Sequence, residues 1–371
     1  MRHPSVAVAL IGSAALALAV GVAPAQAATH HTLDVEPGTG TISAAVAAAH
    51  PGDTLQLEKG TYWDSVAIPI TLTIRGAGDS ATVIKPPPNP NSFCDTPASG
   101  STPASVEGLC PVGALDNMGN PITSKPVVDV TISDLRLTGF SDSGIFGFNT
   151  KGLYVHDVRS DHNGGYGIAR FVSTHSLFAD NWASYNGEAG LYMGDSPDSD
   201  SVMLNNWSFG NGFGLFLRDS THQSAIGNHV WGNCVGILAL NSGHGAPGDL
   251  PAGNYTITGN SVWGNDRACP ASNGPALSGI GIALAGVHTS VVSGNWVTNN
   301  HAGGPSLVSG GIVVLSTKFT GGADPTNNTV RDNYLDHNKP ADIVWDGTGT
   351  GNKIRDNNCD TSLPPHLGFC S

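Results

Sequence analysis

Two aspartates and an arginine carry the clearest chemical signal in this 371-residue chain. Asp195 and Asp219 stand 24 residues apart, and Arg218 directly precedes the second. Two carboxylates brought together either share a proton or hold a cation, and calcium is the cation such hard oxygens would take. The alternative is a pair of solvated turn aspartates. Around them lie further groups able to move protons or bind anions: Arg170, Glu188, His162, His175 and His222. A cation such as Arg218, Arg170 or a calcium on Asp195 and Asp219 that neutralises a carboxylate acidifies the carbon-bound proton beside it, and a His or Tyr base can then remove that proton. Two carboxylates roughly 6.5–9.5 Å apart would instead suit inverting hydrolysis, with Glu188 and Asp195, or Asp195 and Asp219, as the pair. Each residue taken singly also reads as ordinary surface, so its meaning depends on what brings it to the others.

What would do so is an internal repeat of about 22 residues. An apolar residue, usually after Gly, recurs at Ile145, Ile168, Leu191, Leu215, Ile237, Ile282, Ile312 and Ile343. A second series is Asn181, Asn206, Asn228, Asn260, Asn295 and Asn333, each with another Asn five residues later at 186, 211, 233, 265, 300 and 338. The longer late steps shorten to the same period once inserts near Ser242–Gly253, Asp266–Ser278, His301–Ser309 and Lys318–Thr326 are removed. Short alternating strands, Gly/Asn turns and this step predict stacked coils of three short strands, an all-β parallel β-helix. Equivalent residues of successive coils then lie roughly 4.8 Å apart. The Asn series becomes amide ladders that satisfy buried turn backbone. Four residues after the apolar slot stand Asn149, Val172, Asp195, Asp219, Asn241 and Gly286, so the two aspartates fall in neighbouring coils. Seven after it stand His175 and His222, with Asp198 between them, displaced by a small insert.

Such a stack needs caps, because open ends expose core and strand edges. Residues 41–52 are expected to form a capping helix, with Thr41 or Ser43 as its N-cap and His50-Pro51-Gly52 as its end. Strands are expected at Thr54–Leu57, Val66–Ile74 and Ala81–Ile84. Residues 86–126, rich in Pro, Ser, Gly and Asn, read as a disulfide-tied loop, and 355–371 as the C-terminal cap.

Composition limits the setting. Only 16 Lys+Arg face 29 Asp+Glu, a net charge of −13 that leaves no basic footprint for nucleic acid. Residues 1–27 read as a secretory signal, with Arg2 and His3, an uncharged apolar run and Ala25-Gln26-Ala27 before cleavage. No later segment would span a bilayer, and a secreted monomer, residues 28–371 in one domain, is expected. The even set Cys94, Cys110, Cys234, Cys269, Cys359 and Cys370 fits disulfides in an exported chain, and local pairing of 94–110, 234–269 and 359–370 is the simplest connectivity. No C-x-x-C argues for zinc.

The opening Thr41-Ile42-Ser43-Ala44-Ala45-Val46, Pro51-Gly52-Asp53-Thr54-Leu55, Gly60-Thr61-Tyr62 and Ile70–Gly76 resembles the N-terminal cap and first coil of the right-handed parallel β-helix, or pectate-lyase-like, superfamily. The N-x-x-x-x-N and Gly-Ile repeats resemble its generic and NosD-like repeats. The resemblance implies a right-handed single-stranded β-helix over nearly the whole mature chain. It leaves function open, because the superfamily includes polysaccharide lyases, inverting hydrolases, uronate epimerases and surface proteins. Gly243-His244-Gly245 matches one hydrolase signature without its companions, and Asp161-His162-Asn163 only faintly echoes the epimerase D-P-H-D. The functional expectation is a carbohydrate-active protein acting on an extracellular acidic polysaccharide by lyase or epimerase chemistry. The alternatives are a non-catalytic glycan- or protein-binding scaffold, for which Trp182, Trp207, Trp231, Trp263, Tyr192, Phe213 and Phe216 could stack on sugars, and an inverting glycoside hydrolase. NosD-like metal delivery would call for a His/Met/Cys cluster that the sequence does not offer.

Overall fold

The computed structural model describes residues 30–95, 104–243, 252–271 and 274–371; the 1–27 segment and His244-Gly245 lie outside them. The chain winds through stacked coils, each adding one strand to each of three faces, and every strand pairing between coils is parallel. Face 1 holds eleven strands, from Val66–Ile68 to Ser362–Leu363. Faces 2 and 3 merge where the long strands Val127–Thr138 and Thr150–Asp161 bend across the corner between them. The apolar slot read from the sequence is the inner column of face 1. Ile145, Ile168, Leu191, Leu215, Ile237, Ile282, Ile312 and Ile343 pair in register, and all are fully buried. Alternation along a strand makes the positions one and three after the slot point outward, and the position two after it point inward.

The corners follow one local rule: a left-handed residue, then an amide or hydroxyl side chain. Between faces 2 and 3 the left-handed residues Asp180, Asn205, Gly227, Gly259, Gly294, Asp332 and Asp356 each precede a ladder Asn. Between faces 3 and 1, His162, Tyr185, Gly210, Gly232, Gly264, Asn299 and His337 do the same. Gly, Asn and Asp tolerate this backbone best, which explains much of their density. Each ladder Asn then donates Nδ2 to the Oδ1 of the next, at 2.9–3.0 Å from Asn181 to Asn357 and at 2.9–3.3 Å from Asn163 to Asn338. The second ladder ends on the carboxylate of Asp342, 3.0 Å from Asn338 Nδ2. A third ladder, between faces 1 and 2, was not apparent as a series because its residue types change. There the backbone N–H groups of Thr150, Ser173, Ser196, Ser220, Tyr255, Ser290 and Asn328 donate in turn to Ser173, Ser196, Ser220, Tyr255, Ser290, Asn328 and Asn352.

The ends differ from expectation in detail. The helix spans Thr41–Ala48 and buries Ile42 and Val46 over the first coil. Its N-cap is Gly40 in the left-handed region, with no side-chain cap. Thr41 Oγ1 is buried without a partner, and Ser43 Oγ donates instead to Asp64 at 2.6 Å. The expected Val66–Ile74 strand breaks at Pro69, a corner, into Val66–Ile68 and Thr73–Arg75, and the third strand is Thr82–Lys85. Residues 86–126 are not only loop, since Leu109–Pro111 supplies a strand to face 1. At the other end Phe369 and Cys359 pack into the core, and Ser362–Leu363 adds the last strand. Disulfides join Cys94–Cys110, Cys234–Cys269 and Cys359–Cys370, the local pairs. Among the described residues no helix is long and apolar enough to cross a membrane.

Asn228 accepts from Asn206 N and Nδ2 and donates to Asn260 and to Met203 O, all in buried surroundings. Asn228→Ala strands these partners, so chemical denaturation should show a loss of about 3 kcal/mol or more. Asn352→Ala, at the half-buried end of the third ladder, strands Asn328 N and Nδ2 nearer to solvent and should cost less, about 1–2 kcal/mol.

Candidate functional site

Three inserts fold back over the outer surface of face 1 and bury it under a second apolar cluster that includes Tyr192, Phe216, Val235, Leu238, Ile280 and Val313. Between the strands and the inserts lies a cleft of about 750 Å³. Its floor is Phe216, Leu238 and Ala283; its far wall is Pro270, Leu277 and Leu307. The Cys234–Cys269 bridge pins that wall to the preceding coil, and Cys269 and Leu277 exchange backbone hydrogen bonds at 2.9 and 3.1 Å. Glu188, Arg218, Ser242 and Thr317 supply the polar lining.

Arg218 stands three residues after the slot, so its side chain leaves the stack and enters the cleft. Nε donates to Asp219 Oδ2 at 2.9 Å, and Nη2 reaches Ser242 Oγ at 3.4 Å. Nη1 makes no hydrogen bond among the described residues. Tyr166, behind the lining, donates its hydroxyl to Glu188 Oε1 at 2.6 Å. Glu188 stands exposed at the rim, yet the surrounding protein raises its carboxyl; Asp142 adds to this, while Tyr166 and Arg218 pull it back. Beneath, Tyr192 donates to Asp195 Oδ2 at 3.0 Å. Burial raises Asp195, with Arg218 opposing, and burial raises both tyrosines. The charge of Arg218 acts on Tyr166, Glu188, Tyr192 and Asp195, which makes it the electrostatic centre of the group. Gly194 makes room: a Cβ there would lie 2.0 Å from the Tyr192 hydroxyl.

Asp195 and Asp219 do fall side by side, because Gly194 pairs with Arg218 and Ser196 with Ser220. Their residue type has a backbone cause. Asn149, Val172, Asp195, Asp219 and Gly286, four after the slot, all have positive φ, and Asp195-Ser196 and Asp219-Ser220 obey the corner rule. Asp219 is spent on Arg218 and on the Ser242 backbone N–H and hydroxyl. Calcium would need six or more oxygens, and no group of three or more acidic, His or Cys side chains gathers at metal-binding distance among the described residues.

Arg170 does not reach the cleft. It stands two after the slot and points into the stack, where it is fully buried against Gly194 O, Ser196 and Ser199, with Nε unpaired. Burial brings its pKa down to about 10. His175 and His222 lie at the corner between faces 1 and 2. The residue between them in register is Asp200, not Asp198: all three have positive φ and fill one left-handed slot. Their side chains pair with Asp200 at 3.7 Å and Asp198 at 2.9 Å. His162 lies at the corner between faces 3 and 1, away from the cleft. With Arg136, Arg159 and Thr138 it surrounds the buried Asp161, whose carboxyl is desolvated yet held down at about 2 by these donors.

The tryptophans form ring ladders on face 3. Trp182–Trp207, Trp207–His229, Phe209–Trp231 and Trp231–Trp263 stack with centroids 4.3–5.7 Å apart. Trp207 is sandwiched between Trp182 and His229, and Trp231 between Phe209 and Trp263, so the faces of these rings are largely taken up by one another, while Trp207 keeps an exposed edge.

Sequence reasoning missed Tyr166. It stands two before the slot and Glu188 three before the next, so register would have set them in neighbouring coils. It also missed Glu107, whose Oε2 accepts from Ser143 N at 2.9 Å near Asp142 and Asp95. Burial first, then these two carboxylates, push its carboxyl up to about 8.

The family description "Right handed beta helix region" matches residues 114–249. No curated protein matches in sequence. Among solved structures, the A-module of the Azotobacter vinelandii mannuronan C-5 epimerase AlgE4 superposes with a TM-score of 0.61, at 17% identity over 90% of this chain and 95% of that one. The AlgE6 A-module from the same organism gives 0.60 at 20% identity over 85% and 89%. The periplasmic alginate epimerase AlgG gives 0.54 at 14% identity over 88% and 76%. At these identities the likeness is one of fold, and the fold is a right-handed parallel β-helix.

Two expectations follow. Arg170→Met removes a buried charge while Ser196 keeps Gly194 O and Ser173 N, and Ser199 keeps Gln223. Its unfolding midpoint should equal or exceed that of the wild type, since the charge it removes is fully buried and bonded only to neutral groups; a clear fall would assign Arg170 a structural role. Glu107 ionises near 4.5 when unfolded and near 8 when folded. Between those values the native state holds a proton that the unfolded state has lost, so stability falls as pH rises through that window. Glu107→Gln should therefore lose less stability than the wild type in thermal melts between pH 5 and pH 8.5.

Proposed function

We propose that this protein acts on an acidic polysaccharide outside the cytosol, by uronate chemistry of the epimerase or lyase type. The observation that carries the reading is Arg218, its Nη1 unpartnered among the described residues, set in a walled cleft beside the hydrogen-bonded Tyr166–Glu188 couple. Three disulfides support an oxidising compartment, in keeping with a secreted chain whose first 27 residues are its signal. The neighbours named as mannuronan C-5 and alginate epimerases show that this fold carries such chemistry.

In this reading Arg218 receives the uronate carboxylate. Its charge stabilises the negative charge that builds there as the adjacent C–H bond breaks. Glu188, with its raised carboxyl, is the base that takes the proton. The Tyr166 hydroxyl lies beside Glu188, on the same face of the substrate. In epimerisation Glu188 keeps the abstracted proton and one from solvent returns to the opposite face of the same carbon. In elimination the neighbouring C–O bond breaks, a C=C bond forms, and the leaving oxygen takes a proton from Tyr166. Tyr192 and Asp195 are buried and position Arg218 from below.

The test is mature protein on alginate, pectate and hyaluronan. Ultraviolet absorbance reports elimination, and proton exchange from solvent deuterium into the polymer reports epimerisation. Arg218→Ala should lower either signal by at least a hundredfold, and Glu188→Gln comparably, with melting unchanged. Reducing ends without new absorbance would move the assignment to hydrolysis. Silence on all three polymers, or full activity in Arg218→Ala, would overturn it.

A further inference from the structure

The walls of the cleft do not suit a bare sugar chain. Beyond Arg218, Glu188, Ser242, Thr317 and Thr320 the lining is apolar or glycine, chiefly Phe213, Val235, Leu238, Leu277, Ile280 and Leu307. A uronate ring carries hydroxyls around its rim. Pressed against these side chains, each hydroxyl would lose water and gain no partner, at a cost of roughly 1–3 kcal/mol apiece. The cleft does not close this gap by collapsing. Its far wall is tied to the stack by Cys234–Cys269, and Leu307 N donates to Ala276 O at 2.8 Å across two inserts. A volume of about 750 Å³ falls within the roughly 300–1,000 Å³ of ligand sites. The apolar floor is also outside the structural core: Leu238 and Ala283 alternate with the inward Ile237 and Leu284, so their side chains are not needed to fill the stack.

We propose that the ligand of this cleft joins an anion, held at Arg218, to an apolar acyl or aryl group lying over Phe216, Leu238 and Ala283: a uronate chain whose hydroxyls are esterified. The anionic half rests on the uronate reading above; the apolar half rests on the walls alone. Glu188 at the rim and Asp219 beneath Arg218 repel a ligand that offers its anion anywhere but at the guanidinium. An ester also replaces a hydroxyl donor by a group with no hydrogen to satisfy, which these walls accept.

Equilibrium binding tests this without catalysis. The probes are anilinonaphthalene sulfonate, an aromatic anion, its neutral relative phenylnaphthylamine, and one alginate preparation before and after mild deacetylation of its acetylated form. Saturable dye fluorescence is expected. Arg218→Ala should weaken the sulfonate at least tenfold and leave the neutral dye within about twofold. Ala283→Phe, which fills the floor from outside the core, should weaken both, with circular dichroism and melting confirming the fold. The acetylated polymer should bind at least tenfold tighter than the deacetylated one. Equal binding of the two polymers, or dye binding indifferent to both substitutions, would overturn the inference. A retained preference for the acetylated polymer without turnover would count against the catalytic reading and uphold this one.

Discussion

The structure depends on how its corners satisfy buried backbone N–H groups. A parallel stack turns three times per coil, and at each turn the strand ladder lapses. The lost partners are replaced by a side chain from the next coil: an Asn oxygen at two corners, and a hydroxyl or amide at the third. One Asn accepts from the coil before it and donates to the coil after it, so each corner residue is useful only if both neighbours are in place. That mutual dependence sets the period. Everything between corners can vary, and loops can be inserted wherever they do not shift a corner.

This explains why residues that look catalytic by type are so often structural here. A left-handed backbone favours Asp, Asn, His and Gly, the same types that hold metals and move protons. His162, His175, His222, Asp195 and Asp219 all have positive φ. Their recurrence at fixed spacing comes from the corner rule, not from a shared ligand. The residues that gather chemistry lie off that rule: Arg218 in an outward strand position, and Tyr166 and Glu188 in the turns leading into face 1.

The sequence made the fold legible because the slot and the Asn pairs repeat, and a repeat is visible without knowing any contact. The division of inside from outside was legible too, though only by carrying the strand alternation one step past the slot. Arg170 and Arg218 look alike as basic residues near the slot, yet one is two after it and the other three, and that single step puts the first in the core and the second in the cleft. The cleft itself was not legible. Its walls are inserts, which are by nature the aperiodic part of the chain, and their packing over face 1 leaves no trace in composition. The third ladder escaped for a related reason: Ser, Tyr and Asn do one job there, so no single letter recurs.

The second Asn ladder has a direction. Every amide in it points its nitrogen toward the C-terminal end and its oxygen toward the N-terminal end, so their dipoles add along the axis instead of cancelling. The row arrives at the last coil with its positive end leading. Asp342 meets it there as a negative charge that takes Nδ2 and the backbone N–H of Asn338 while also accepting from Asp360 and Thr361. A carboxylate can receive a hydrogen but has none to hand on. Asp342 therefore terminates the series chemically: a further coil, whether of this chain or of a second copy stacked end to end, would find no donor in that row to continue from.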